Sequence, residues 1–232
     1  MRALLEICST ALAEIGFPTL DAVAGSSDDT AVQMLALANR EGSELAARTG
    51  GLGGWQQLIA TQTLITVAGQ AAYDEPADLA YYVNQSGWDN DRRIELLGPL
   101  SAQSWQFIKH AVYGYGYGTR FRIINNQVNL DPVPSSTQTF SFEYYSKNWC
   151  QDARGAPQAL FDSDSDVPRL PDDLFIMGLK WRFLRAKRLD FAFELEEYNQ
   201  AVDRELSRTS QARVLSLNNE QGVDERQFEA FG

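Results

Sequence analysis

The spacing of apolar residues changes twice along this chain, and that change limits the folds open to it. Near the start, Leu4, Leu5, Cys8, Leu12 and Ile15 recur at the spacing of one buried helical stripe. Gly16 and Pro18 end that helix, the first by permitting a left-handed cap and the second by refusing to continue. A second helix is expected after Asp28 or Asp29 as N-cap, with Val32, Leu35, Ala38, Leu45 and Ala46 facing inward. It stops at residues 49–54, which hold four glycines. The middle is different. Runs at 58–66, 81–84, 92–97, 119–124, 127–131 and 139–146 are short and rich in β-branched and aromatic residues, with turn chemistry between them. The clearest hairpin turns at Asn125-Asn126, because Asn tolerates positive φ. One short helix interrupts, with Ser101 as its cap and Trp105, Ile108 and Val112 on one face.

The last third returns to the helical period. Pro171 suits a first helical position, and Asp172 and Asp173 sit where the helix dipole favours negative charge. Leu174, Met177, Trp181 and Leu184 form one stripe, and Ile176, Leu179 and Phe183 form another. A helix apolar on two sides is buried on two sides, against its own fold and, as one option, against another subunit. Candidate subunit-interface residues are therefore Ile176, Leu179, Phe183, Arg182 and Arg185. Asp190 can cap a following helix that carries Phe191, Leu195, Tyr198, Val202 and Leu206. From Thr209 the pattern fades, leaving Leu215, Leu217, Phe228 and Phe231 scattered along an extended tail. The expected fold class is α+β. It is mainly a helical bundle, 1–57 with 171–208, into which a small antiparallel β domain, 58–150, is inserted. An acidic loop, 151–170, and a C-terminal arm, 209–232, complete the chain.

Composition narrows the chemistry. With 31 acidic and 20 basic side chains the net charge is −11, which lacks the basic excess that favours phosphate binding. The single histidine, His110, leaves no His-rich metal site, and Cys8 and Cys150 cannot form a four-thiolate site or a disulfide scaffold. The longest apolar run, 174–179, is far short of a bilayer span, and Glu6, Ser9, Thr10 and Glu14 break up any signal-peptide core. A reducing cytoplasm is the expected folding compartment.

Individual motifs carry little catalytic signal. The glycines at 50–54 lack the Lys-Ser/Thr of a phosphate loop and read as a helix-to-strand connection. Tyr113, Tyr115 and Tyr117 alternate with glycine and form either a partner-contact loop or an idle one. Asp162, Asp164 and Asp166 resemble the opening of a calcium loop. Val167 replaces the required Gly and Asp173 the closing Glu, so a solvated acidic loop is expected and no metal site. Lys180, Arg182, Arg185, Lys187 and Arg188 form the one basic run, for which Glu194, Glu196 and Glu197 could supply intramolecular or intersubunit partners. Cys150 with His110 could be drawn as nucleophile and base, but both fit ordinary positions. No carboxylate pair stands out, and neither an enzyme nor a cofactor is expected.

The stretch from Leu170-Pro171-Asp172-Asp173 through Trp181-Arg182-Phe183-Leu184 to Leu189-Asp190-Phe191 resembles the C-terminal helical hairpin of tailed-phage head-to-tail adaptor proteins. The similarity extends to Tyr144-Tyr145-Ser146-Lys147-Asn148-Trp149, Leu97-Gly98-Pro99-Leu100-Ser101, Arg120-Phe121-Arg122-Ile123, Leu35-Ala36-Leu37-Ala38-Asn39-Arg40 and Val67-Ala68-Gly69-Gln70, in the same order over most of 1–208. One departure is Arg188, where related sequences often carry a helix-ending Gly, so a less sharp hairpin bend is expected. The resemblance implies a ring, usually of twelve copies, docked beneath the capsid portal at the neck of the virion. Its implied partners are the portal protein, other copies of itself and a downstream tail or nozzle protein. Duplex DNA would pass through without specific binding, and no membrane is involved. The C-terminal arm, through Leu215, Leu217, Phe228 and Phe231, would reach the portal. The alternative is a glycan-binding or cell-wall-degrading tail component, suggested by Trp88, Trp105 and the Tyr-Gly run.

Overall fold

The computed structural model describes residues 1–49, 54–110 and 118–211, the last three as backbone alone. Helix α1, Leu4–Glu14, buries Leu4, Ile7, Cys8, Ala11 and Leu12, and Gly16 closes it at φ +78°. Helix α2, Asp29–Ala47, starts where the sequence places it: the Asp28 carboxylate accepts from the backbone N–H groups of Thr30 and Ala31 at 2.9 and 3.0 Å. Its inward face differs from the expected one. Ala31, Met34, Ala38, Glu41, Gly42 and Leu45 are buried, Leu35 and Ala46 are half-buried, and Val32 is 53% exposed. The helix is turned so that a carboxylate and a glycine occupy the core, a register that an apolar-only template rejects.

The chain then enters β1, Ile59–Ile65, followed by β2, Ala72–Asp74, β3, Leu79–Tyr82, β4, Trp88–Asp89, and β5, Ile94–Glu95. Helix α3, Ala102–His110, is capped by Ser101, whose Oγ accepts from the Ser104 N–H at 3.1 Å, and it buries Trp105. Val112 lies outside the described residues. Strands β6, Arg120–Ile124, and β7, Gln127–Asp131, form the expected hairpin, with Asn125 and Asn126 both at positive φ. Strand β8, Thr139–Ser146, is the spine of a five-stranded antiparallel sheet. It pairs along its length with β1, and on its other side with β4 and then β3, while β5 extends the sheet beyond β4. A second sheet has the order β2-β7-β6.

Residues 151–170 are more than a loop. Cys150–Gln151 (β9), Pro157–Gln158 (β10) and Val167–Pro168 (β11) form a third small sheet. Its acidic side chains fasten other segments. Asp164 accepts from the backbone N–H groups of Val23 and Ala24 at 3.0 and 2.7 Å, and buried Asp166 accepts from those of Asp162 and Ser163. The Leu4 N–H donates to the Asp166 carbonyl, so this segment holds the start of α1. Helix α4, Asp172–Ala186, follows directly, with Pro171 at its N-cap. Helix α5, Ala192–Gln211, begins where Asp190 accepts from the Ala192 N–H at 3.2 Å.

The result is a mixed α+β fold, not the mainly helical bundle expected, because the helices cannot close their core alone. Trp55, Leu58, Tyr145, Trp149, Cys150 and Phe161 complete the cluster that α1, α2, α4 and α5 build. Trp149 lies against Gly42 of α2, where an added Cβ would strike the indole ring. A separate cluster of Leu64, Tyr73, Leu96, Phe121, Val128, Leu130, Phe140 and Phe142 fills the β part. Alternation along β8 serves both: Phe140 and Phe142 point into the β cluster, Tyr145 into the helical one. Among the described residues no helix is long and apolar enough to cross a membrane.

Candidate interaction surfaces

The five candidates on α4 divide sharply. Ile176, Leu179, Phe183 and Arg182 are buried inside the chain itself, and Arg185 alone is exposed. Both apolar stripes of α4 are consumed by its own neighbours, since α1, α2 and α5 all pack on it. The loop residues Tyr113, Tyr115 and Tyr117 and the arm residues Leu215, Leu217, Phe228 and Phe231 lie outside the described residues.

Arg182 is held by a cluster that apolar patterning does not reveal. Glu41 of α2 is 0% exposed and accepts from Arg182 Nε and from the Tyr198 hydroxyl of α5, each at 2.5 Å. Arg182 also donates to Glu44 at 2.7 Å and lies 4.4 Å over the Trp181 ring. Gly178, one turn earlier on α4, leaves the space that the Glu41 carboxylate fills. Burial holds the Glu41 carboxyl above its ordinary range, against the pull of Arg182 and Tyr198. Burial likewise raises the Tyr198 hydroxyl. Three helices thus share one buried ion pair. Its signal in the sequence is Arg182 itself, a cation set between apolar neighbours on a buried helix.

The rest of the basic run divides in the same way. Lys180 pairs with Glu14 of α1 at 2.8 Å. Beyond Arg182 the pairing stops: Arg185, Lys187 and Arg188 are exposed and form no ion pair among the described residues. The end of the hairpin also exposes Leu189 (46%), and the first turn of α5 exposes Phe193 (75%). Arg188 adopts the left-handed conformation itself, at φ +60°. The Leu189 N–H reaches the Leu184 carbonyl and the Arg188 N–H the Arg185 carbonyl, so the bend is as tight as a glycine would make it. The expectation of a blunter bend is corrected. Beside this end, a groove of about 240 Å³ is lined by Leu37, Arg40, Trp181, Arg182, Arg185 and Ala186.

The catalytic constellations drawn from sequence do not assemble. Cys150 is buried, donates to the Gln158 carbonyl at 3.1 Å, and has its thiol pushed up to about 12, mainly by burial. His110 is exposed at the end of α3. Among the described residues no cluster of His, Cys, Asp or Glu could hold a metal ion, and the Asp162–Asp166 run is occupied with backbone N–H groups. Of the aromatic residues, Trp88 stands half-exposed on the sheet, whereas Trp105 is buried with Lys109 over its ring.

No curated protein matches the chain. The family model described as SU10 adaptor protein matches residues 4–223, which takes in every helix and strand described above, and the chain belongs to that family.

Proposed function

We propose that this chain is a structural, non-enzymatic virion protein, a head-to-tail adaptor that forms a ring beneath the phage portal and joins the capsid to the tail. The observation that carries the reading is the family match over nearly the whole chain. Among the described residues the conspicuous features are packing and surface charge, and Cys150, the nucleophile drawn from the sequence, is a buried thiol. In the virion neck its proposed partners are the portal, neighbouring copies, twelve per ring, and a downstream tail or nozzle protein. The arm at 209–232 docks on the portal through Leu215, Leu217, Phe228 and Phe231. Duplex DNA passes through the channel, and a charge of −11 per copy repels the phosphates at short range so that the duplex is not gripped.

Electron microscopy of the full chain mixed with the portal protein of the same phage tests this. The expected image is a closed ring coaxial with the portal; isolated copies, or a two-fold dimer off the portal axis, would overturn it. Among the described residues, which exclude the Tyr-Gly run, the glycan-binding alternative gains nothing from the geometry. An aromatic platform needs adjacent exposed rings, and of its two tryptophans only Trp88 is exposed.

A further inference from the structure

We infer that neighbouring copies in the ring meet through a charge-complementary, head-to-tail contact, in which the basic end of the α4–α5 hairpin of one copy sits on the outer stripe of α5 of the next. This rests on the adaptor reading and specifies which surfaces pair.

The first observation is unspent charge of both signs. Arg185, Lys187 and Arg188 have no ionic partner among the described residues, and neither do Glu196 and Glu197 of α5, of which Glu196 accepts only from Gln200. Other charges on or beside these helices are spent internally: Arg2 on Asp173, Lys180 on Glu14, Arg182 on Glu41 and Glu44. The basic end and the acidic stripe belong to the same hairpin, yet they do not satisfy each other within one copy.

The second observation is shape and polarity. Tyr198, Ala201, Val202 and Leu206 face the core, and Phe193, Glu196, Glu197, Gln200 and Asp203 lie on the opposite, exposed side of α5. Phe193, the most exposed aromatic side chain described, opens this stripe. An aromatic anchor bordered by carboxylates fits a receiving surface that offers cations and apolar contact together. The hairpin end offers both, with Leu189 exposed beside Arg185, Lys187 and Arg188, and Leu37 and Trp181 in the adjoining groove.

The third is the sign rule. Copies that each carry −11 repel at long range, so a contact between them needs local complementarity. The basic end cannot face itself, nor can the acidic stripe. Two different patches that fit only each other can pair twice in a two-fold dimer or once per neighbour, head to tail. The adaptor reading selects the second, which closes into a ring when the rotation per subunit closes.

Two double variants of the full chain test it. R185E with K187E makes the hairpin end acidic, and E196K with E197K makes the stripe basic. All four positions are exposed and without an ionic partner among the described residues. The contacts they do make, Lys187 over the Phe183 ring and Glu196 with Gln200, come from exposed side chains, so thermal melting should stay within a few degrees of wild type. Assembly is read as mass in solution, with and without the portal protein. Each variant alone should need at least about tenfold higher concentration to assemble, a typical cost of facing like charges. Mixed one to one, the two variants make every contact complementary again, so rings with an even number of copies should return. Rings from either variant alone at wild-type concentration, or no recovery in the mixture, overturn the inference while leaving the adaptor reading standing. Recovery that stops at a two-fold dimer also overturns the head-to-tail geometry. A wild-type chain that forms no ring on the portal fails at the adaptor reading itself.

Discussion

Arg182 and Arg185 stand three residues apart on one helix and do opposite things. Arg182 is buried and holds Glu41, Glu44 and the face of Trp181; Arg185 is exposed and has no ionic partner among the described residues. The boundary between them separates the part of the hairpin that builds the fold from the part that the proposed contact would use. A buried guanidinium is tolerated only with its charge paired and its donors used, so Arg182 marks where neighbouring helices must converge. An exposed, unpaired cation contributes almost nothing to folding and keeps its field for a partner.

The largest effect expected is at the buried pole of that contrast. Glu41→Ala strips Arg182 and Tyr198 of their shared acceptor and leaves a buried cation half-compensated, which costs about 3–5 kcal/mol. Arg185→Ala should change stability by less than about 0.5 kcal/mol, as surface substitutions do. Denaturant unfolding of both variants measures the difference. Comparable losses would dissolve the distinction between the two arginines.

The contrast also explains what could be read from the sequence. The helices were legible because Leu4, Cys8 and Leu12, or Leu174, Trp181 and Leu184, keep a helical period, and the β6–β7 hairpin because Asn125-Asn126 names its own turn. The basic run was legible as a run. How it divides was not, because the partners of Lys180 and Arg182 lie 138 to 166 residues away, and sequence spacing says nothing about such contacts. Glu41 escaped for a related reason: a template that seeks apolar residues at core positions selects Val32 and passes over a carboxylate. The small sheet of β9, β10 and β11 has two-residue strands, too short to show any alternation. The family resemblance ordered these pieces correctly, while the helical core turned out to need Trp149 and Phe161 from the β side and the acidic segment.

Acidic residues offer a second test of the same division, at a smaller scale. Asp164 serves the interior, accepting two backbone N–H groups from the segment between α1 and α2. Asp203, on the outer side of α5, has no partner among the described residues. Asp164→Ala leaves two partly buried donors unsatisfied and should cost about 2 kcal/mol, with faster amide exchange at Val23 and Ala24. Asp203→Ala should be close to neutral. Equal melting temperatures for the two variants would show that the acidic segment is a solvated loop after all, as its composition suggests.

The smallest effect lies at the boundary itself. Arg188 closes the α4 helix in a left-handed conformation that costs a side-chain-bearing residue roughly 1–2 kcal/mol and costs glycine nothing. Its guanidinium has no ionic partner among the described residues to offset that strain. Arg188→Gly should therefore relieve the turn while keeping the Leu189 and Arg188 backbone hydrogen bonds. Glycine loses more chain entropy on folding, which takes back part of the gain and leaves a net stabilisation of about 0.5–1 kcal/mol. A monomer that becomes more stable while its assembly weakens would show that Arg188 is kept for contact at the expense of the fold. If the variant melts lower than wild type, the strained turn is not costing this chain what its geometry implies, and the cation has a stabilising role within the protomer.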